Sequence, residues 1–434
     1  MLDKRKNKFQ LVFQSFLSSE KSCITSFLIL VILGVIYFFL FIPPNSQGAA
    51  NLHDLLLTSG DEYITYPYIE HMMQSSKDIH ELWGRLIIYG DYIYGYPFYF
   101  FSFLVLLPYR LVMGEQFFSQ MQINLLILRQ FISVLPIILA AGFLTYLQTR
   151  FRSVWKTFLL FVFLLSMPAI IRQNIHWWHP DALTILFVVL TFFFLDRDQF
   201  RLGKSFYLAA CMCGLAAATK LMGFFFFLTI PVYLLISLVN KKISLRRVLL
   251  SAGGFVLVMG FTILLSNPFL FYSSQREKMI EIQTQKQVIM DQGFQHDNPY
   301  YYQKGPYFWQ WTLEQWYGRR ELLIFAGLSL LAGWLWGKES RLNLLILSWC
   351  LPLSLYLLYM VAPKPDHYWL PVMIPLFSGV LGFLRSFETL YASAGTSRWV
   401  KKGATAGLIL TGAILLVYLG CNLQSSVGVW MEGN

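Results

Sequence analysis

Long apolar runs broken by short polar turns dominate the chain. Residues 24–42, 158–171, 224–238 and 249–265 contain no charged side chain. About 20 apolar residues cross the hydrocarbon core of a bilayer, so each run reads as a membrane-spanning helix. The same pattern over the whole chain predicts spans at 24–43, 122–147, 157–173, 182–196, 205–219, 221–239, 248–266, 321–337, 342–362, 368–385 and 404–422. The expected fold class is therefore an all-α polytopic membrane protein with about 11 transmembrane helices. The stretch 98–113 is apolar but short, is interrupted by Pro108 and is followed by Glu115. It is read as an in-plane or re-entrant helix against the outer leaflet.

Parity supports that choice. Basic side chains cluster between the spans at Lys4/Arg5/Lys6/Lys8, Arg150/Arg152/Lys156, Arg197/Arg201/Lys204, Lys241/Lys242/Arg246/Arg247, Lys338/Arg341 and Arg385/Arg398/Lys401/Lys402. Short loops rich in Lys and Arg stay on the cytoplasmic side, and all six clusters fall there only if 98–113 does not cross. The N-terminus is then inside. The first loop, 44–121, the turn at 176–181, the segment 267–320 and the turn at 363–368 all face outward.

Composition agrees. Of 434 residues, 56% are hydrophobic and only 13% charged, which fits an integral membrane protein. The net charge of +11 belongs to the inner loops and not to a nucleic-acid surface. Cys23, Cys211, Cys213, Cys350 and Cys421 are odd in number and lie in or beside apolar runs, so no disulfide framework is expected. There is no phosphate-binding glycine loop and no apparent internal repeat.

The chemistry concentrates in the outer loops. Asp61 and Glu62 are adjacent carboxylates at a membrane boundary, where charge is costly and marks function. Asp181 follows Pro180 at a helix start, where capping alone also explains an acid. His176 and His179 flank Trp177-Trp178, and the tryptophans equally suit an interfacial belt. The histidines with Asp61 or Asp181 leave a divalent cation open, on weak spacing. Lys220 ends the helical run Gly214 to Thr219 on the outer side, and Lys364, His367 and Tyr368 sit at an outer turn able to hold a phosphate. The aromatic residues of 300–317 are assigned mostly to the membrane surface.

Together, Gly60-Asp61-Glu62, Arg129-Gln130-Phe131, His179-Pro180-Asp181-Ala182, Gly214-Leu215 with Thr219-Lys220, and His367-Tyr368 with Leu370-Pro371 resemble the GT-C superfamily of polytopic glycosyltransferases. The resembling branch holds protein O-mannosyltransferases and the lipid A aminoarabinose transferase. The resemblance implies a GT-C-like bundle with in-plane helices in the first outer loop. It also implies a sugar donor carried on polyprenyl phosphate, catalysis by Asp61 with Glu62 in support, and substrate binding by Asp181, His179, Lys220, Arg129, His367 and Tyr368. The aminoarabinose branch closes its first loop with Lys-Pro-Pro, whereas Gly95-Tyr96-Pro97 stands here without a lysine. That departure argues against that particular transferase.

The expected organisation is a catalytic transmembrane module at 1–272, an outer segment at 273–320 that could receive the acceptor, and C-terminal helices at 321–434. The expected function is inverting transfer of one sugar from the lipid-linked donor to a lipid, glycan or protein acceptor at the outer face of the cytoplasmic membrane. Two other classes stay open: a transporter or flippase of lipid-linked saccharides, and a non-catalytic envelope-assembly subunit.

Overall fold

The computed structural model describes residues 2–240, 243–294, 299–337, 339–393 and 397–432. Lys241, Lys242 and Lys338 lie outside the described residues, as do the side chains of Lys4, Arg5, Lys6 and Lys8. The described chain is helical, without a strand. At its centre the helix Asp181–Asp198 packs between Leu135–Thr149 and Lys204–Thr219, and the latter packs on Leu245–Ser266. Small side chains permit the close approach. Ala209, Ala210, Ala216 and Ala217 are buried, and a Cβ on Gly214 would stand 2.9 Å from the carbonyl oxygen of Met259. In a membrane, where apolar contact alone does not favour helix over lipid, such near-backbone packing holds helices together.

Among the described residues, eight helices are long and apolar enough to cross a membrane, or nine if one bent pair counts as a single span. Length and composition therefore do not confirm the expected count of 11. Lys204–Thr219 and Arg320–Leu335 have 16 residues each. At 1.5 Å per residue they reach about 24 Å, short of a full hydrocarbon core. Asp181–Asp198 is 18 residues long but carries four charges at its two ends.

The stretch expected to lie in the membrane plane forms the unbroken helix Tyr96–Met113, and Tyr96–Ser119 qualifies as a span by length and composition. Its contacts nevertheless tie both ends to the same loop region. At the start, Tyr99 donates a hydrogen bond to Asp91. At the far end, Arg110 donates to the Met73 carbonyl at 3.1 Å, and Ser75 donates to Glu115 at 2.9 Å. The following helix begins beside the end of the first span, where Gln122 donates to the Ser46 carbonyl at 2.6 Å.

The expected span 157–173 is two helices, Val154–Leu165 and Pro168–Asn174, meeting at 63°. Pro168 cannot donate to a helical ladder, which breaks the span there. The carbonyl of Ser166 at the break is satisfied by the Ser426 hydroxyl of the last helix, Arg398–Glu432, at 2.6 Å.

The basic loops gather at one end of the bundle. Arg150 pairs with Asp196 at 2.6 Å and with Glu339 at 2.9 Å, Lys156 pairs with Glu388 at 2.5 Å, and Arg247 donates to the Arg201 carbonyl at 3.2 Å. Asp181 stands at the other end of the helix that carries Asp196.

Gly95 shows how tightly the opposite end is built. Its N–H donates to the Thr219 carbonyl at 3.0 Å, and a Cβ there would collide with the carbonyl oxygen of Ala218. Gly95→Ala should lower the thermal midpoint in detergent, at a cost of about 1–3 kcal/mol. Gly84→Ala has open space around it and should be neutral or slightly stabilising in the same measurement.

Candidate functional site

Asp61 and Glu62 occupy the first turn of the helix Gly60–Met72, which Ser59 caps through the Glu62 N–H. Successive helical residues diverge by about 100°, so the two carboxylates part. Asp61 is exposed. Glu62 is fully buried against Arg129: Nε of Arg129 lies 2.9 Å from Oε1 and Nη2 lies 2.5 Å from Oε2, a forked pair with both side chains essentially closed to solvent. The Trp178 N–H also donates to Glu62 at 2.5 Å, and Arg129 donates to the carbonyls of Asn45 and Gln47 at 3.3 Å. Glu62 and Arg129 thus join the first loop, the end of the first span and the turn at 176–181. The guanidinium has no free face for a substrate.

Asp181, His179, Lys220, His367 and Tyr368 come together from three separate segments. The Lys220 ammonium pairs with Oδ1 of Asp181, while Oδ2 lies 3.0 Å from Nδ1 of His179. That last contact is close but poorly aimed, so it does not satisfy either atom as a hydrogen bond. Nε2 of His179 meets the Tyr94 hydroxyl at 2.8 Å. The His367 ring stands 5.2 Å from that of His179 and 4.6 Å from those of Trp177 and Tyr368. The Lys220 ammonium lies 5.4 Å from the Tyr368 ring centre.

Lys286 also belongs to this cluster, although no local pattern around it marks a site. It sits on the helix Ser273–Gln292, donates to the Ile93 carbonyl at 3.1 Å and stands 5.1 Å from the Tyr94 ring centre. Tyr92 fixes the same helix by donating to Gln275 at 2.6 Å, and Gln283 donates back to the Tyr92 carbonyl at 2.5 Å. Burial pulls the Lys286 ammonium down, and the Lys220 charge lowers it further, to about 8 against an ordinary 10.5. Asp181, Asp91 and Asp61 pull the other way. Asp91, held by the Tyr99 hydroxyl and the Ile93 N–H, is raised by burial. The charge of the exposed Asp61 also acts on Lys286 and Tyr94.

Two nitrogens and one oxygen, from His179, His367 and Asp181, converge with their ligand atoms within 4.8 Å of one another. Tetrahedral zinc ligands at 2.0–2.1 Å stand roughly 3.4 Å apart, so the triad would need to close by about 1 Å to hold such an ion.

Several aromatics assigned to a membrane-surface belt are structural instead. Trp309 is buried and donates to the Leu357 carbonyl at 2.8 Å, and Tyr317 is buried and donates to the Asp366 carbonyl at 2.7 Å. Together they brace the turn that delivers His367. Tyr307 and Trp311 do face outward.

Removing one partner of the Glu62–Arg129 pair strands the other charge inside the protein. Arg129→Met alone should cost about 3–5 kcal/mol, and adding Glu62→Gln should recover a large part of it. Thermal midpoints of the two single variants and the double variant measure this coupling.

Comparison with known proteins agrees with this architecture. No curated protein matches the chain. The structure of ArnT from Cupriavidus metallidurans, solved bound to undecaprenyl phosphate, superposes with a TM-score of 0.52 at 13% identity, over 94% of this chain and 74% of that one. The chain accordingly shares the fold of that structure. The model of glycosyltransferase family 87 matches residues 96–362, which include Arg129, His179, Asp181 and Lys220, while Asp61, Glu62, His367 and Tyr368 fall outside. With that match extending over more than half of its length, the chain belongs to glycosyltransferase family 87.

Proposed function

We propose that this glycosyltransferase moves one hexose-type sugar from a polyprenyl-phosphate donor to an acceptor hydroxyl at the outer face of the cytoplasmic membrane, with inversion at the anomeric carbon. The observation that carries the reading is the grouping of Lys220 and Lys286 beside Asp181, with the exposed carboxylate of Asp61 acting on Lys286. Outside the cytoplasmic membrane, a donor has to arrive activated and lipid-bound, and a structural neighbour was solved with undecaprenyl phosphate.

In this mechanism Asp61 takes the proton of the acceptor hydroxyl as that oxygen attacks the anomeric carbon. The bond from the anomeric carbon to the phosphate oxygen breaks, and its electron pair leaves with the lipid phosphate. The phosphodiester donor carries one negative charge and the departing phosphomonoester two. The cations of Lys220 and Lys286 offset that added charge as it develops. His179 and Asp181 hold Lys220 in place, and the Tyr94 hydroxyl fixes the His179 ring. His367 and Tyr368, packed beside Lys220, would contact the lipid phosphate. Glu62 and Arg129 act by positioning the loops. A resident divalent ion, if bound by His179, Asp181 and His367, would supply further positive charge at the leaving oxygen.

Asp61→Asn should lower transfer in reconstituted membranes by about 10²–10⁴-fold with abundance and thermal midpoint unchanged. Undiminished turnover would remove Asp61 as the base. Lys286 supplies a pH test with a definite sign. Above about 8 its charge is lost in the folded protein, so KM for the donor should rise with pH through that region. Lys286→Arg, which stays charged, should flatten that limb. Folding stability should rise over the same range, since between 8 and 10.5 the unfolded chain holds the proton that the folded one has released. A parallel fall in thermal midpoint would therefore mark unfolding and not loss of the donor contact.

A further inference from the structure

At the end of the bundle opposite Asp181 lies a second polar cavity, of about 530 Å³, that plays no part in the transfer reaction. The helix Asp181–Asp198 separates the two, and its 18 residues span about 27 Å. Three cations line the cavity, Arg152, Lys156 and Arg385, with two carboxylates, Glu339 and Glu388. Glu388 pairs with Lys156 at 2.5 Å, while Glu339 shares Arg150, at 2.9 Å, with Asp196 at 2.6 Å, so Arg150, Arg152, Lys156 and Arg385 face three carboxylates and one positive charge is left over. Among the described residues neither Arg152 nor Arg385 has a carboxylate within ion-pair distance, although Glu339 and Glu388 act on Arg385 from further off.

Arg385 is the informative residue. Its Nη1 donates to Oε1 of Gln148 at 2.9 Å, and Gln148 is itself fixed by donating to Asn343 at 2.8 Å. Its Nη2 is closed off from solvent and has no hydrogen-bond partner. A buried guanidinium N–H left unmade costs heavily, and charge in a low dielectric more so. The helix Val154–Leu165 also begins at this cavity, with Ser153 as its cap. Its N-terminal turn presents positive dipole and unpaired N–H groups. Two guanidinium groups outside any ion pair, one positive charge in excess, a helix N-terminus and the Ser153 hydroxyl are what a phosphate group takes, and the volume suits a ligand of headgroup size.

We infer that this cavity is a phosphate-binding site, separate from the transfer centre, in which Arg385 and Arg152 clasp the phosphate of a ligand. Basic pockets between membrane helices bind anionic lipid headgroups, and a soluble phosphate compound reaching the cavity from the aqueous side would meet the same groups.

The test uses the full-length protein in detergent. Native mass spectrometry compares retention of phosphatidylglycerol with that of phosphatidylcholine, and thermal midpoints are followed in titrations with inorganic phosphate. Wild-type protein should bind at least one anionic probe, about tenfold more tightly than Arg385→Gln and Arg152→Gln do. Phosphatidylglycerol retained without a response to phosphate identifies the ligand as a lipid, whereas a phosphate response without lipid retention identifies a soluble one. Binding of neither probe, or equal binding by wild type and by the exposed-loop variant Arg152→Gln together with Arg385→Gln, overturns the site. If Arg385→Gln does not fold, Arg152→Gln alone decides between these outcomes.

Discussion

A full charge cannot rest in a low-dielectric interior without a partner, and that constraint organises the half of this protein that carries Asp181. Two pairs meet it in different ways. Glu62 and Arg129 satisfy each other almost completely and are sealed from solvent, so their joint effect is to fasten three segments together. Asp181 is equally buried but is shared between Lys220 and an imperfectly aimed His179, which leaves unsatisfied atoms facing one another. The first arrangement is rigid and closed. The second keeps capacity for an anionic ligand, and it stays in register because the first holds the backbone of Trp178, the residue directly before His179.

The fold class was legible because hydrocarbon imposes a length and an apolar composition on anything that crosses it. The count of spans was not. Lys204–Thr219 and Arg320–Leu335 read as spans by hydropathy yet are too short to reach across unaided, and the Pro168 bend divides another. Whether Tyr96–Met113 crosses could be argued only from parity, whereas the contacts of Arg110 and Glu115 are a matter of three-dimensional placement.

Within the site, Asp181, His179, Lys220, His367 and Tyr368 were nominated because charge and imidazole stood at helix boundaries, and the fold brings them together. For Asp61 and Glu62 the sequence could not separate roles, since adjacency in a loop says nothing of which carboxylate turns inward. Helical divergence does that. Lys286 was invisible, lying in a polar helix among glutamines with no local pattern, and its meaning comes from loop 88–95 lying across it. Trp309 and Tyr317 were mistaken for surface anchors because a buried aromatic and an interfacial one have the same composition in sequence. Only the carbonyls they reach tell them apart.

The bend at Ser166 has a consequence for the end of the chain. A carbonyl released by a broken helix inside a bilayer has no water to turn to, and here its acceptor capacity is met by a hydroxyl 260 positions later. The C-terminal helix, otherwise mostly lipid-facing, therefore acts as a splint across that fracture. Shortening the chain ahead of Ser426 would leave the Pro168–Asn174 arm unbraced and disturb the aim of the histidine turn it carries, although the last helix contributes none of the clustered side chains.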